Sequence, residues 1–306
     1  VNAPLQTDWS AWWQILRAAN VFTAISNVIA GFLLVQGNWQ PFGPLLLLML
    51  TSALLYEAGM LLNDVCDADL DAKERPERPI PSGRIAKSSA KRVGSALLLG
   101  GVTIAIAVSV VTSQWQTNQI ALALAATIVG YNVGVKSTRF GPLAMGGCRM
   151  MNVLLGASVA GTLTTGITSI WLFAWGVFFH TYGLTRIARQ EANSIDNVDL
   201  WIGAAAVILC PLWIAGLPIT LDQTRISTTA WIVICIALLI SEAYLAYQLI
   251  YSSDQAIVRS TIGTFIKLFI VIDAAVSALA AGWLAGLAVL SLLLPTWLMA
   301  RRIPMT

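Results

Sequence analysis

The sequence predicts an all-α, polytopic transmembrane helical bundle of nine or ten spans, built as a single domain over residues 1–306. Three observations predict it. Hydrophobic residues make up 57% of the chain and charged residues only 11%, whereas soluble domains carry roughly 25% charged residues. The apolar residues fall into runs, each near the roughly 20 residues a helix needs to cross the hydrocarbon. The runs are also too long and uniform for barrel strands, and a backbone in lipid must satisfy its own hydrogen bonds, which leaves helices.

The runs can be taken in order. Residues 15–36 form the first and 42–64 the second, which ends in acidic residues. A basic loop, 65–92, follows. Runs 93–112 and 118–135 are joined by only a few residues, as expected of a helical hairpin. Runs 142–163 and 168–188 come next, then 200–220 and 228–250. The last two, 264–281 and 284–300, are separated only by Gly282 and Trp283. They read as a tight hairpin, or as one span plus an interfacial helix, which leaves the count at nine or ten. Trp9, Trp12, Trp13, Trp39, Trp115, Trp171 and Trp201 sit near run ends and read as interfacial anchors.

Basic residues orient the bundle. Lys73, Arg75, Arg78, Arg84, Lys87, Lys91 and Arg92 fall in one loop, Lys136 and Arg139 in another, and Arg186 and Arg189 at the end of the sixth run. All lie on one side, which the positive-inside rule makes cytoplasmic together with the N-terminus. The expected location is the inner membrane of a bacterium, with the bilayer as the chain's surroundings. The two long polar loops, 65–92 and 189–199, would share that side over a central cavity. Net charge is +3 and scattered over loops, which excludes a nucleic-acid-binding surface. The four cysteines show no Cys-x-x-Cys spacing and read as unpaired thiols.

The second run ends in "LLNDVCDADLDAKERPERPIPSG", residues 61–83. Asn63, Asp67 and Asp71 are spaced i, i+4, i+8 and share one helix face, with Asp64 beside them. Carboxylates and a carboxamide on one face make a hard, oxygen-only donor set that suits Mg²⁺. A calcium loop fails, because Ala72 and Arg78 stand where that loop needs Gly and Glu. A solvated acidic helix end balanced by Lys and Arg is the simpler alternative. Arg75 and Arg78 follow at once, on a loop stiffened by Pro76, Pro79 and Pro81. An acidic metal face beside guanidiniums is what a diphosphate ester needs, both for binding and for departure of diphosphate.

Asn63-Asp64-x-x-Asp67-x-x-x-Asp71, followed by Arg75, Arg78-Pro79 and Gly83, resembles the first signature of the UbiA superfamily of intramembrane prenyltransferases. Arg17 and Asn20 match a polar pair in that family's first span. Tyr131, Lys136, Gly141, Arg149 and Asn152 resemble its signature between the fourth and fifth spans. The second acidic signature is expected after the sixth span, where this chain reads "YGLTRIARQEANSIDNVD", residues 182–199. Glu191 stands there in place of an aspartate pair, with Asp196 and Asp199 later, a pattern similar to the EboC-type branch of UbiA-like bacterial proteins.

The resemblance implies Mg²⁺-dependent transfer of an isoprenyl group from an isoprenyl diphosphate to an aromatic or lipid-like acceptor. It implies metal binding by Asn63, Asp64, Asp67, Asp71 and Glu191. Arg17, Arg75, Arg78, Lys136 and Arg189 would hold phosphate oxygens. Tyr131, Asn20 and Glu57 would steady the cation or meet the acceptor, with Arg149, Asn152 and Asp196 as further site residues. A second reading stays open: a protein of this type that binds or moves an isoprenoid or aromatic molecule without prenyl transfer. An ion-coupled transporter using Glu57, Glu242 and Asp273 ranks last, since no paired Gly/Pro interruptions mark broken helices. His180, the single histidine, reads as an interhelical hydrogen-bond partner, and Lys267 and Asp273 as structural. Gly156 reads as a point of close helix packing.

Overall fold

A computed structural model describes residues 8–160, 168–189, 197–251 and 255–301. Thirteen helices are present among the described residues: α1 (Trp9–Leu16), α2 (Val21–Gln36), α3 (Phe42–Glu74), α4 (Lys87–Thr112), α5 (Trp115–Val133), α6 (Gly141–Ala157), α7 (Thr168–Ala188), α8 (Asn197–Ile214), α9 (Leu217–Thr220), α10 (Thr228–Tyr251), α11 (Gln255–Ala281), α12 (Trp283–Leu290) and α13 (Leu293–Ala300). Short 3₁₀ turns occupy Val135–Ser137 and Ser158–Ala160. Glu191 and Asp196 lie outside the described residues.

Six helical segments are long and apolar enough to cross a membrane: α3, α4, α6 with its 3₁₀ extension, α10, α11, and α12 together with α13. The α1–α2 pair, bent by 45°, makes a seventh. The chain is thus an all-helical integral membrane protein, as expected. The expected count of nine or ten also needs α5, α7 and α8. Polar residues dilute two of these: Gln116, Thr117 and Asn118 open α5, and His180, Thr181 and Thr185 sit within α7.

The helix α2 is central. It packs against α3, α6, α7, α11, α12 and α13, and is buried along most of its length. Its approach to α6 is close at two glycines. A Cβ on Gly31 would lie 2.2 Å from the Val153 carbonyl oxygen, and one on Gly156 would lie 2.1 Å from that of Val28. Neither helix could come so near with a larger residue. Outer helices bury one stripe and present Leu99, Val110, Val111, Ile232 and Ile240 outward, which is the lipid-facing surface of such a bundle. Trp9, Trp13, Trp115, Trp171 and Trp201 are exposed, as anchors should be. Trp12 and Trp39 are not; they pack on the apolar core instead.

Buried polar groups tie the helices together. His180 on α7 pairs through Nδ1 with Glu242 on α10 at 2.8 Å and through Nε2 with the Phe265 carbonyl on α11 at 3.1 Å. Asp273 on α11 accepts from Ser26 (2.5 Å) and Asn27 on α2. Hydrogen bonds between helices satisfy polar groups in such an interior, and His180 makes the interhelical bond expected of it.

Three local features position the site. The first apolar run is not one helix: α1 stops at Arg17, whose φ of 47° is left-handed, and α2 resumes after Asn20. Helix α3 runs 33 residues, about 50 Å at 1.5 Å per residue. It overshoots a hydrocarbon core of about 30 Å, so its acidic end stands at the membrane boundary. It ends just before Pro76, whose ring disfavours the helical conformation at Arg75. Loop 75–86 is then fixed by backbone bonds from Arg78 to Arg75, Ser82 to Arg78 and Ile85 to Pro79. Gly83, at φ 75°, supplies the left-handed turn that lets it close.

Candidate active site

The acidic face forms as its spacing dictates. Helix α3 continues through Asn63, Asp64, Asp67 and Asp71, and Asp64 and Asp71 are buried. Asp69, off this face, is exposed and pairs with Lys87 at 3.3 Å. Each inward acid meets a cation. Arg78 Nη1 donates to Asp71 at 2.8 Å and stands 3.9 Å from Asp64. Arg17 reaches Asp64 at 3.6 Å. Lys136 Nζ lies 2.6 Å from Asp67 and donates to the Asn63 carboxamide oxygen at 3.2 Å. Asp64 Oδ1 is buried without a hydrogen-bond partner among the described residues. An orphaned carboxylate oxygen within an all-oxygen set fits a hard divalent cation.

Below this face lies a cavity of about 410 Å³. Arg17, Arg75, Arg78, Asn63 and Tyr131 line it, as does Asn20 from the break before α2. Apolar residues such as Leu55, Leu124, Ile128 and Ile262 line the rest. Arg149 and Asn152, one helical turn apart on α6, also face it. Asn152 donates to the Ala24 carbonyl at 2.7 Å and accepts from Ser52 at 2.8 Å.

Two expected residues sit differently. Glu57 is not among the lining residues; Tyr56 takes that place. Seven residues separate Tyr56 from Asn63, nearly two full turns, whereas six turn Glu57 well off the face. Arg189 donates to the backbone carbonyls of Lys136 and Thr138. It therefore holds the turn that carries Lys136. Residues without a sequence signal complete the cavity: Ser52, Asn132 and Phe269.

The loop bearing Arg78 is clamped to α1. Arg84 donates to Asp8 (2.8 Å), Gln14 (3.1 Å) and Ser10 (2.9 Å). Asp8 also caps α1 by accepting from the Ala11 N–H at 3.1 Å. The Arg84 guanidinium, helped by Ser10 and that N–H, holds the Asp8 carboxyl well below the usual carboxylate range.

An all-helical membrane bundle with an aspartate-rich oxygen face, flanking arginines and an apolar cavity beneath it defines an integral membrane protein with a charged cavity mouth. More particularly, the chain belongs to the UbiA prenyltransferase family, whose model matches residues 24–271. It is 30% identical to digeranylgeranylglyceryl phosphate synthase of Methanoculleus marisnigri over 191 residues, 62% of this chain and 63% of that protein. It is 32% identical to the same enzyme of Saccharolobus solfataricus over 130 residues, 42% of this chain and 44% of that one. The matched region spans less than two thirds of these relatives' length. A solved digeranylgeranylglyceryl phosphate synthase structure superposes with TM-score 0.66 at 18% identity, covering 89% of this chain and 98% of the other. A UbiA homologue from Archaeoglobus fulgidus bound to GPP and Mg²⁺ gives TM-score 0.60 at 12% identity, covering 92% and 99%. At these identities the likeness concerns the fold.

Proposed function

We propose that the protein transfers an isoprenyl group from an isoprenyl diphosphate to an aromatic or lipid-like acceptor inside the membrane. The observation that carries this reading is the convergence of Asn63, Asp64, Asp67 and Asp71 with Arg17, Arg78 and Lys136 at the mouth of an apolar cavity. Asn63 and the three aspartates would hold Mg²⁺. When bound, the ion neutralises diphosphate charge as a Lewis acid. Arg17, Arg75 and Arg78, which line the mouth, bind the remaining phosphate oxygens and stabilise the charge that grows as the C1–O bond breaks. Lys136 follows the same logic, with Arg189 fixing its turn. The allylic cation left behind faces Tyr131, whose ring offers its negative face. The acceptor then bonds to C1 and loses a proton, while the isoprenoid tail lies along Leu55, Leu124, Ile128 and Ile262.

In this reading α5, α7 and α8 cross the bilayer too, which brings the count to ten, the upper of the two expected values, in one domain. The basic loops and the N-terminus face the cytoplasm. The test is diphosphate release from geranyl and geranylgeranyl diphosphates by purified protein with Mg²⁺ and an acceptor panel. Release that Asp67→Ala abolishes supports the reading. Release that persists unchanged in Asp67→Ala defeats the site, and donor binding without any turnover favours a binding or transport role.

A further inference from the structure

Away from the cavity, three side chains of unlike chemistry meet in the core. His180 on α7, Cys210 on α8 and Glu242 on α10 are each fully buried. A ring nitrogen of His180, the Cys210 sulfur and a Glu242 oxygen all lie within 4.8 Å of one another. None of the three lines the cavity, so binding of a diphosphate or an acceptor does not account for them.

The partners of His180 fix its proton. Nε2 lies 3.1 Å from the Phe265 carbonyl oxygen, which can only accept, so Nε2 carries a hydrogen. Nδ1 then faces Glu242 Oε1 at 2.8 Å. Two electron-rich atoms at that distance need a cation between them, a proton or a metal ion. A proton serves Oε1 alone. Glu242 Oε2 stays buried without a hydrogen-bond partner among the described residues, a costly state in an apolar interior. A metal ion serves both oxygens and the sulfur. Imidazole, thiolate and carboxylate are donors that Zn²⁺ takes, and with both Glu242 oxygens engaged they supply the four atoms of a closed structural site. One thiolate and one carboxylate also cancel the charge of Zn²⁺, as a low-dielectric interior favours. Zinc bonds of about 2.0–2.3 Å set tetrahedral ligands roughly 3.3–3.6 Å apart, within reach of these side chains by small rotations. An Nε2–H donated to a backbone carbonyl is how a metal-binding imidazole is oriented. The ring of Phe269, edge-on at 4.6 Å, shields the cluster.

We propose that His180 Nδ1, Cys210 Sγ and the Glu242 carboxylate bind a Zn²⁺ ion that clips α10 to α7 and α8. Loading releases two protons, one from the Cys210 thiol and one shared by Nδ1 and Oε1. The clip is structural, yet it sets a wall of the cavity. Thr181, next to His180, and Phe269, packed against the His180 ring, both line that cavity. The proposal does not rest on prenyl transfer.

The test is metal content and spectroscopy of the full-length chain, expressed in zinc- or cobalt-supplemented medium and purified in detergent. Excess Mg²⁺ is kept present to compete at the oxygen-only face of α3. Elemental analysis should find about one zinc per chain. The cobalt-loaded protein should show a sulfur-to-cobalt charge-transfer band and the intense visible bands of tetrahedral Co²⁺, which oxygen ligands alone do not give. Cys66→Ser and Cys235→Ser should keep the charge-transfer band, and Cys210→Ser should lose it. Glu242→Gln should loosen zinc by at least the 10–100-fold that even an outer-shell partner is worth. Zinc should raise the thermal midpoint of the wild type and not that of Cys210→Ser. Background zinc and no thiolate band in the wild type overturn the proposal, whatever the variants do to folding. So does a band that survives in Cys210→Ser, or a Glu242→Gln protein that holds zinc as tightly as the wild type.

Discussion

The Lys136 ammonium lies 2.6 Å from Asp67 and 3.2 Å from the Asn63 carboxamide oxygen. A cation delivered from the α5–α6 connection thus sits on the acidic face of α3, the face for which we propose metal and diphosphate. Such a pair, with Lys136 and Asp67 both largely buried, has its worth in placing charge rather than in net stability. Lys136→Met should lower turnover of an isoprenyl diphosphate about 10²–10³-fold, the scale for losing one oriented stabiliser of developing charge. Single-turnover diphosphate release checks this. A variant within threefold of wild type would remove Lys136 from the reacting site.

Asp64 is the acid whose Oδ1 has no hydrogen-bond partner among the described residues, and its nearest cations stand 3.6 and 3.9 Å away. Mg²⁺ gains most from a carboxylate oxygen that accepts no hydrogen bond. Asp64→Asn should raise the Mg²⁺ concentration giving half-maximal activity by at least about tenfold. EDTA should stop diphosphate release in the wild type, and Mg²⁺ should restore it. Activity indifferent to EDTA would disprove a metal at this face.

Gly156 and Gly31 let α2 and α6 touch backbone to backbone, and α6 carries Arg149 and Asn152 to the cavity. Gly156→Ala puts a methyl group 2.1 Å from the Val28 carbonyl oxygen. The helices must separate, which costs about 1–3 kcal/mol. Thermal unfolding followed by tryptophan fluorescence should show a clearly lowered midpoint. Gly263→Ala, where a Cβ meets nothing within 4 Å, is the control and should leave the midpoint unchanged or raised. Equal midpoints for the two variants would refute the close-packing account.

How far the sequence foretold this depends on which signal each feature leaves. Long apolar runs mark helices directly, and the i, i+4, i+8 spacing of Asn63, Asp67 and Asp71 foretold that α3 outlasts its apolar part. The break between α1 and α2 left no sign, because Arg17 turns the chain without Gly or Pro. Charge drew attention to Glu57, while helix phase gave the cavity to Tyr56 one position earlier. Thr23, Asn27 and Ser52 were silent for another reason. Small polar residues inside apolar spans look alike in sequence, and only the partner on the next helix gives them a role.

Arg84 and Asp8 couple the loop carrying Arg78 to the start of α1, with Nε to Oδ2 at 2.8 Å. The Asp8 carboxyl is held below its ordinary value first by Arg84, then by Ser10 and the Ala11 N–H. A depressed carboxylate pKa stabilises the fold wherever the unfolded carboxyl is ionised. That contribution is complete above about pH 4 and fades as pH falls toward the lower folded value. Asp8→Asn should therefore have a lower thermal midpoint than wild type between pH 6 and 8. The gap should narrow as pH drops below about 4, where Asp8 of the unfolded chain takes up a proton while the folded carboxylate still keeps its charge. Because the clamp holds the loop that carries Arg78 and not the acids of α3, Asp8→Asn should weaken binding of geranyl diphosphate while leaving the Mg²⁺ requirement unchanged. A midpoint gap that stays constant from pH 7 to pH 3 would show that Asp8 acts through something other than its charge.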